Sequence, residues 1–161
     1  MVFNFFRKSK EQPAPKAENK TEFLIAANNR LCEKSDYGED LSALTAEEQV
    51  FYIVNGLEQE VNNGGFSQYL YNSSGNYAHR VVECLRIIGA DKTAEICITA
   101  FAAFGHPIPQ DRSEREDFLD EYETDQVSEI LNRCDERFYK YEDDLETLNY
   151  NYILANRDKF T

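Results

Sequence analysis

An all-α fold, a compact multi-helix bundle in a single domain, is what this sequence predicts, and three observations carry that reading. Successive segments place their apolar residues at helical spacing, and several open on a capping box. No stretch alternates apolar and polar residues long enough to make a strand. The segments are punctuated by glycines at positions where a helix must end or turn, above all the pair Gly64-Gly65. With 161 residues, eleven Phe and ten Tyr, the chain is long enough to bury one proper core.

In chain order, residues 1–20 read as a flexible tail. Phe3, Phe5 and Phe6 precede Arg7, Lys8 and Lys10, and Pro13 and Pro15 follow. The apolar part is too short for a signal-peptide core, and its basic and aromatic residues suit at most a weak membrane contact. The domain then spans 21–161. Asn19 with Glu22 resembles a capping box opening a helix to about residue 33, with Phe23, Leu24, Ala27 and Leu31 as its apolar set. After a polar loop, Thr45 with Glu48 opens a second helix bearing Val50, Ile53, Val54, Leu57 and Val61. That helix should end at Gly64-Gly65, one of which is expected at positive φ. Beyond the elbow, Phe66, Tyr69 and Leu70 share one face and can wedge into a core.

A helix over 77–88 buries Val81, Val82, Leu85 and Ile88 and stops at Gly89, with His79, Glu83 and Arg86 opposite. Asp91 is placed to cap the next, over 92–104. That helix is apolar nearly all round and is expected to be the most buried of the bundle. Ser113 with Glu116 predicts a third capping box and a short acidic helix with Phe118, Leu119 and Tyr122. A helix over 125–141 carries the seam Val127, Ile130, Leu131, Cys134, Phe138 and Tyr141. A last helix from about 143 carries Leu145, Leu148, Tyr152 and Ala155.

The elbow Asn62-Asn63-Gly64-Gly65-Phe66-Ser67-Gln68 admits two readings. One is a structural bend between helices. The other is a binding loop presenting Asn63, Ser67 and Gln68. The stretch Glu60-Val61-Asn62-Asn63-Gly64-Gly65-Phe66-Ser67-Gln68-Tyr69, followed by Asn72-Ser73-Ser74-Gly75 and then residues 85–89, resembles the signature of a bacterial DNA-mimic protein family, largely a domain of unknown function. The resemblance continues over 131–139, including Asp135-Glu136-Arg137-Phe138-Tyr139, and covers about 45–155. It implies an acidic all-helical domain. It also implies, from the member that names the family, a homodimer whose carboxylates stand in for DNA phosphates on a transcription factor.

Charge points the same way independently. The net charge is −13. Residues 1–20 are at +3, the remainder at −16, and 111–146 alone hold fifteen acidic and five basic residues, a net −10. Such a body repels nucleic acid and anionic lipid and attracts basic partners, so no direct nucleic-acid binding is expected. The candidate partner-binding residues are Asp117, Asp120, Glu121, Asp125 and Glu129, with Glu114 and Glu123 beside them. Asp117, Glu121, Asp125 and Glu129 recur every four residues, about 6 Å along a helix axis, the order of phosphate spacing, provided the chain stays helical through Thr124. An ordinary solvated acidic face is the plainer reading of the same residues.

Catalytic chemistry is poorly represented. His79 and His106 are the only histidines, and neither has a glutamate three residues before it as an E-x-x-H metal motif needs. Nucleophile-elbow, phosphate-loop, zinc-protease and dinucleotide-binding motifs are missing from the sequence. Cys32, Cys84, Cys97 and Cys134 are scattered within apolar helical patterns, as expected of reduced cytoplasmic thiols, and their spacing does not favour zinc. No apolar run is long enough to cross a membrane. The sequence thus predicts a non-catalytic cytoplasmic interaction protein without metal or cofactor. Its partner is then a basic protein, either a DNA-binding regulator or a nuclease met in the manner of an immunity protein. The alternative is a small-molecule or peptide-binding module built on the elbow and the Tyr-rich surface.

Overall fold

A computed structural model of the protein describes residues 19–38 and 40–160. The expected tail over 1–20 lies almost entirely outside the described residues. Seven α-helices make up the described chain: α1 (Lys20–Lys34), α2 (Ala46–Tyr71), α3 (Ala78–Ile88), α4 (Asp91–Ala102), α5 (Arg112–Tyr122), α6 (Asp125–Phe138) and α7 (Leu145–Ala155). Short 3-10 turns at Leu41–Ala43 and Ser73–Tyr77 flank α2. The fold is all-α.

The centre of the bundle is α2, which packs against α1, α3, α5, α6 and α7. It starts on the predicted capping box. Thr45 Oγ1 accepts from Glu48 N at 3.2 Å, and Glu48 Oε2 accepts from Thr45 N at 2.9 Å. Glu48 is fully buried, and its second duty, an ion pair with Lys34 at 2.7 Å, ties α2 to the end of α1. Val50, Ile53, Val54, Leu57 and Val61 are all buried, as their spacing requires.

The expectation that the fourth helix is the most buried is incorrect. α4 rests on α3 and α6 and leaves a face open, with Glu95, Ile98, Thr99 and Ala102 exposed. Its all-round apolarity comes partly from alanines, whose small area carries little burial demand. Phe101 is half-buried. The helix also begins one residue early, so Asp91 is not its cap. The cap comes from another element: Asp143, ahead of α7, accepts from Thr93 N at 2.7 Å and from Thr93 Oγ1 at 3.0 Å. Elsewhere, Asn19 accepts from Thr21 N and Glu22 N, the Asn19 half of the predicted box. The predicted Ser113–Glu116 box is replaced by Asp111, which accepts from Glu114 N at 3.0 Å and starts α5 earlier. α6 stops at Phe138 rather than Tyr141, and Tyr141 takes the left-handed φ of 47°. Gly89, at φ 86°, ends α3 as expected.

Candidate partner-binding face

The acidic helices are held in place by what happens at the elbow. α2 breaks at Gly64 (φ −161°, ψ 26°) and Gly65 (φ 75°, ψ −174°). A break inside a helix orphans carbonyls before it and N–H groups after it. Both kinds are met by α6. Asp135 Oδ1 accepts from Phe66 N at 2.8 Å, and Tyr139 donates its hydroxyl to Val61 O at 2.9 Å. Asp135, in α6, and Tyr139, its C-terminal cap, lie four residues apart, so the end of one helix closes the break from outside. A Cβ on Gly65 would stand 2.3 Å from Asp135 Oδ2. Gly65 therefore answers two demands, a positive φ and the close approach of a carboxylate. Phe66 and Tyr69, both without solvent exposure, then wedge against Phe101 and Phe138.

α5 is held by Arg115, the largest fully buried side chain. Its Nε donates to Leu70 O at 2.5 Å. The terminal nitrogens reach Gln110 O at 2.7 Å, Pro109 O at 3.2 Å, Asn72 O at 2.9 Å and Asn76 Oδ1 at 2.7 Å. The cation thus sits on carbonyls at the C-terminal end of α2, where the helix dipole favours it. Gly75 makes room, since a Cβ there would lie 2.8 Å from Arg115 Nε and 2.7 Å from Leu70 O. Burial lowers the guanidinium's pKa from its ordinary value, with the neighbouring Tyr69 opposing.

Turned outward on these two helices, Asp117, Asp120, Glu121, Asp125 and Glu129 are all exposed. Among the described residues, no arginine forms an ion pair with any of these five. Arg115 is spent inside, and Arg112 pairs with Glu116 at 2.9 Å while lying over the Tyr71 ring. Arg133 and Arg137 form no ion pair among the described residues. The four-residue ladder is interrupted, however. Glu123 and Thr124 leave the helical region, and Thr124 caps α6 through Val127 N. Asp117 with Glu121, and Asp125 with Glu129, are two separate i, i+4 pairs on two helices.

Elbow and acidic segment meet in a shallow groove of about 530 Å³. Ser67, Gln68 and Tyr71 line one side, and Leu119, Asp120, Glu123 and Ser128 line the other. Ser67 donates to Glu123 Oε1 at 2.5 Å. Gln68 and Asn72 both donate to Glu60 Oε2, at 2.7 and 2.9 Å. The elbow's polar side chains are thus largely committed within the fold. Asn62 turns the other way and donates to Tyr141 at 2.5 Å, while Asn63 is exposed.

The family model described as DMP19-like protein matches residues 42–156. The chain belongs to the DMP19-like protein family. No curated protein and no solved structure matches it. The DMP19-like match takes in the whole of α2 with its break, the Asp135–Tyr139 closure, the Arg115 staple and both acidic helices. It leaves out α1 entirely. Asp135 and Tyr139 belong to the family-like motif, but nothing in the sequence points to their role in closing the break. Nor does it point to Glu60 as the acceptor for Gln68 and Asn72, or to Arg115 as a buried staple. The one signal for Arg115 was its spacing: it precedes Leu119 by four residues, on the apolar face of α5. No helix among the described residues is long and apolar enough to cross a membrane. His79 and His106 are both exposed, and His106 rests on the Tyr122 ring at 4.5 Å. Cys97, Cys84 and Cys134 are buried free thiols and Cys32 is half-buried. Burial pushes Cys84 up to about 11 and Cys97 further, which suits packing rather than nucleophilic chemistry.

Proposed function

We propose that this DMP19-like protein is a non-catalytic interaction protein that binds a basic, DNA-binding partner through the exposed carboxylates of α5 and α6. It would occupy the surface the partner uses for DNA. The observation that supports this most directly is the asymmetry of the segment's charges. Asp117, Asp120, Glu121, Asp125 and Glu129 face solvent, while Arg115, the most firmly held of the nearby cations, is turned inward onto carbonyl groups. A field of one sign speeds encounter with a basic partner and disfavours acidic ones. It is screened over about 8–10 Å at physiological ionic strength, so binding must weaken with salt. The break at Glu123–Thr124 means that two short carboxylate pairs, rather than one straight ladder, would take the place of phosphates. A homodimer, implied by the family resemblance, would double that array.

The test uses proteins from a cell lysate retained on DNA-cellulose. The full chain should release a subset of them at low salt, and release should decline steeply as salt rises. A chain carrying Asp117→Lys, Asp120→Lys and Glu121→Lys should fold normally, because these sites are solvated, and should release nothing. Equal release by this variant would exclude the face. Capture of a nuclease whose DNA cleavage is then blocked would assign the basic partner to the immunity class. Sedimentation velocity on the pure protein measures whether the dimer forms.

A further inference from the structure

A second concavity, larger than the groove and built from different elements, is unused by the proposal above. A cleft of about 650 Å³ opens between α1, the first half of α2 and the segment leading into α7. Leu24 and Ile25 give it an apolar side, and Ile25 is 55% exposed there. The amides of Asn28, Asn55 and Asn62 lie along it, with Asn55 Nδ2 donating to Asn28 Oδ1 at 2.8 Å. Its charged lining is acidic throughout: Glu58, Asp144 and Glu146. Glu58 comes from α2, Asp144 and Glu146 from the cap and first turn of α7, and each is oriented by a hydroxyl. Tyr141 donates to Glu58 at 3.0 Å, Thr147 to Asp144 at 2.6 Å, and Thr21 to Glu146. Tyr141 reaches Glu58 from a left-handed backbone, a conformation that costs free energy in a non-glycine residue. A nearby cation, Lys20, is directed to Thr147 Oγ1 at 3.0 Å and over the Tyr150 ring.

The arrangement selects among cations. Among the described residues no three acidic, His or Cys side chains converge so as to hold a metal ion. A point charge therefore does not match three carboxylates spread around a cavity of this size. An extended cation does. Its methylenes can lie on Leu24 and Ile25, its ammonium groups can reach carboxylates on separate walls, and its remaining N–H donors suit amide oxygens. We propose that this cleft is a binding site for a linear alkyl polyamine. The cavity volume falls in the range of small-ligand sites. Burial pushes the Glu58 carboxyl up, partly offset by the Tyr141 hydrogen bond, and Glu146 and Asp144 add to the rise. A bound ammonium group relieves that repulsion. This inference does not depend on the α5–α6 face, and either can fail alone.

Calorimetric titration of the full chain with spermidine in 150 mM salt should give saturable binding at one site per chain. 1,4-Diaminobutane, with fewer charges, should bind at least tenfold more weakly. Magnesium at equal concentration should not displace spermidine. Glu58→Gln and Glu146→Gln should each weaken binding at least tenfold, whereas Asp117→Asn, on the other face, should stay within twofold of the parent. Where a cleft variant loses its fold, the parent protein answers instead: the side-chain amide resonances of Asn28, Asn55 and Asn62 should shift with spermidine. Non-saturable heats, displacement by magnesium, an equal effect of Asp117→Asn, or shifts confined to other amides would each overturn the proposal.

Discussion

The two glycines of the elbow are not equivalent residues. The sequence expects positive φ at one of them without distinguishing which. Gly64 has extended φ, open to any residue, and its added Cβ would meet chiefly the Gln68 side chain, whose amide can swing away. Gly65 is left-handed and faces Asp135, a group already engaged with Phe66. Gly65→Ala should therefore destabilise the protein by about 1–3 kcal/mol in urea unfolding. Gly64→Ala should cost about 1 kcal/mol or less, mainly through the Gln68–Glu60 bond. Equal losses would refute the geometric distinction. Arg115 makes a sharper case. Arg115→Met leaves four carbonyls and one amide oxygen without their buried donor and should cost about 3 kcal/mol or more. Arg115→Lys should recover only part of this, because an ammonium has three donors and no planar fork.

At the scale of the element, α6 behaves as the clasp of a broken helix. At the break, Phe66 N and Val61 O are met by Asp135 and Tyr139, from the last turn of α6 and its C-terminal cap. Asp135→Ala should lose about 1–3 kcal/mol, since a buried N–H is left unpaired. Asp135→Asn should lose less, because its amide oxygen still accepts from Phe66 N and no buried charge remains. Tyr139→Phe should lose about 1 kcal/mol. The two residues serve one break, so the double variant Asp135→Ala/Tyr139→Phe should fall short of the sum of the singles in a double-mutant cycle. Strict additivity would mean that the two bonds act independently.

For the whole molecule, the half-buried carboxyls predict how stability follows pH. Asp135 is raised above its ordinary 3.8 by burial, against the Phe66 hydrogen bond and with Glu123 adding to the rise. Glu58 is raised above 4.5, again chiefly by burial. A carboxyl that binds its proton more tightly folded than unfolded stabilises fully below the unfolded value. That contribution is lost as pH rises through the folded value. Asp40 and Asp144 run the other way, lowered by hydrogen bonds from Ser42 and Thr147, and their contributions disappear in strong acid. The melting temperature should therefore be higher in mild acid than at neutrality, an effect reinforced as the net charge of −13 shrinks. Asp135→Asn should flatten the decline. A melting temperature that climbs steadily from mild acid to neutrality would contradict this assignment.

What the sequence determined by itself was local or additive. Helical periodicity placed α1, α2, α3, α6 and α7 because apolar spacing at 3.6 residues reports the buried stripe of one helix at a time. The Thr45–Glu48 cap, the stop at Gly89 and the acidity of 111–146 are likewise contained in short stretches of chain. The tertiary structure decided whatever depends on a second element arriving from elsewhere. It made α2 rather than α4 the centre, because burial is set by how many neighbours surround a helix and not by its apolarity alone. It assigned the start of α4 to Asp143 and the break in α2 to Asp135 and Tyr139, since an orphan backbone group takes whichever partner packing delivers. It also turned Arg115 inward and left the neighbouring carboxylates out. The sequence counts charges of both signs in one segment, but only packing decides which of them meet solvent.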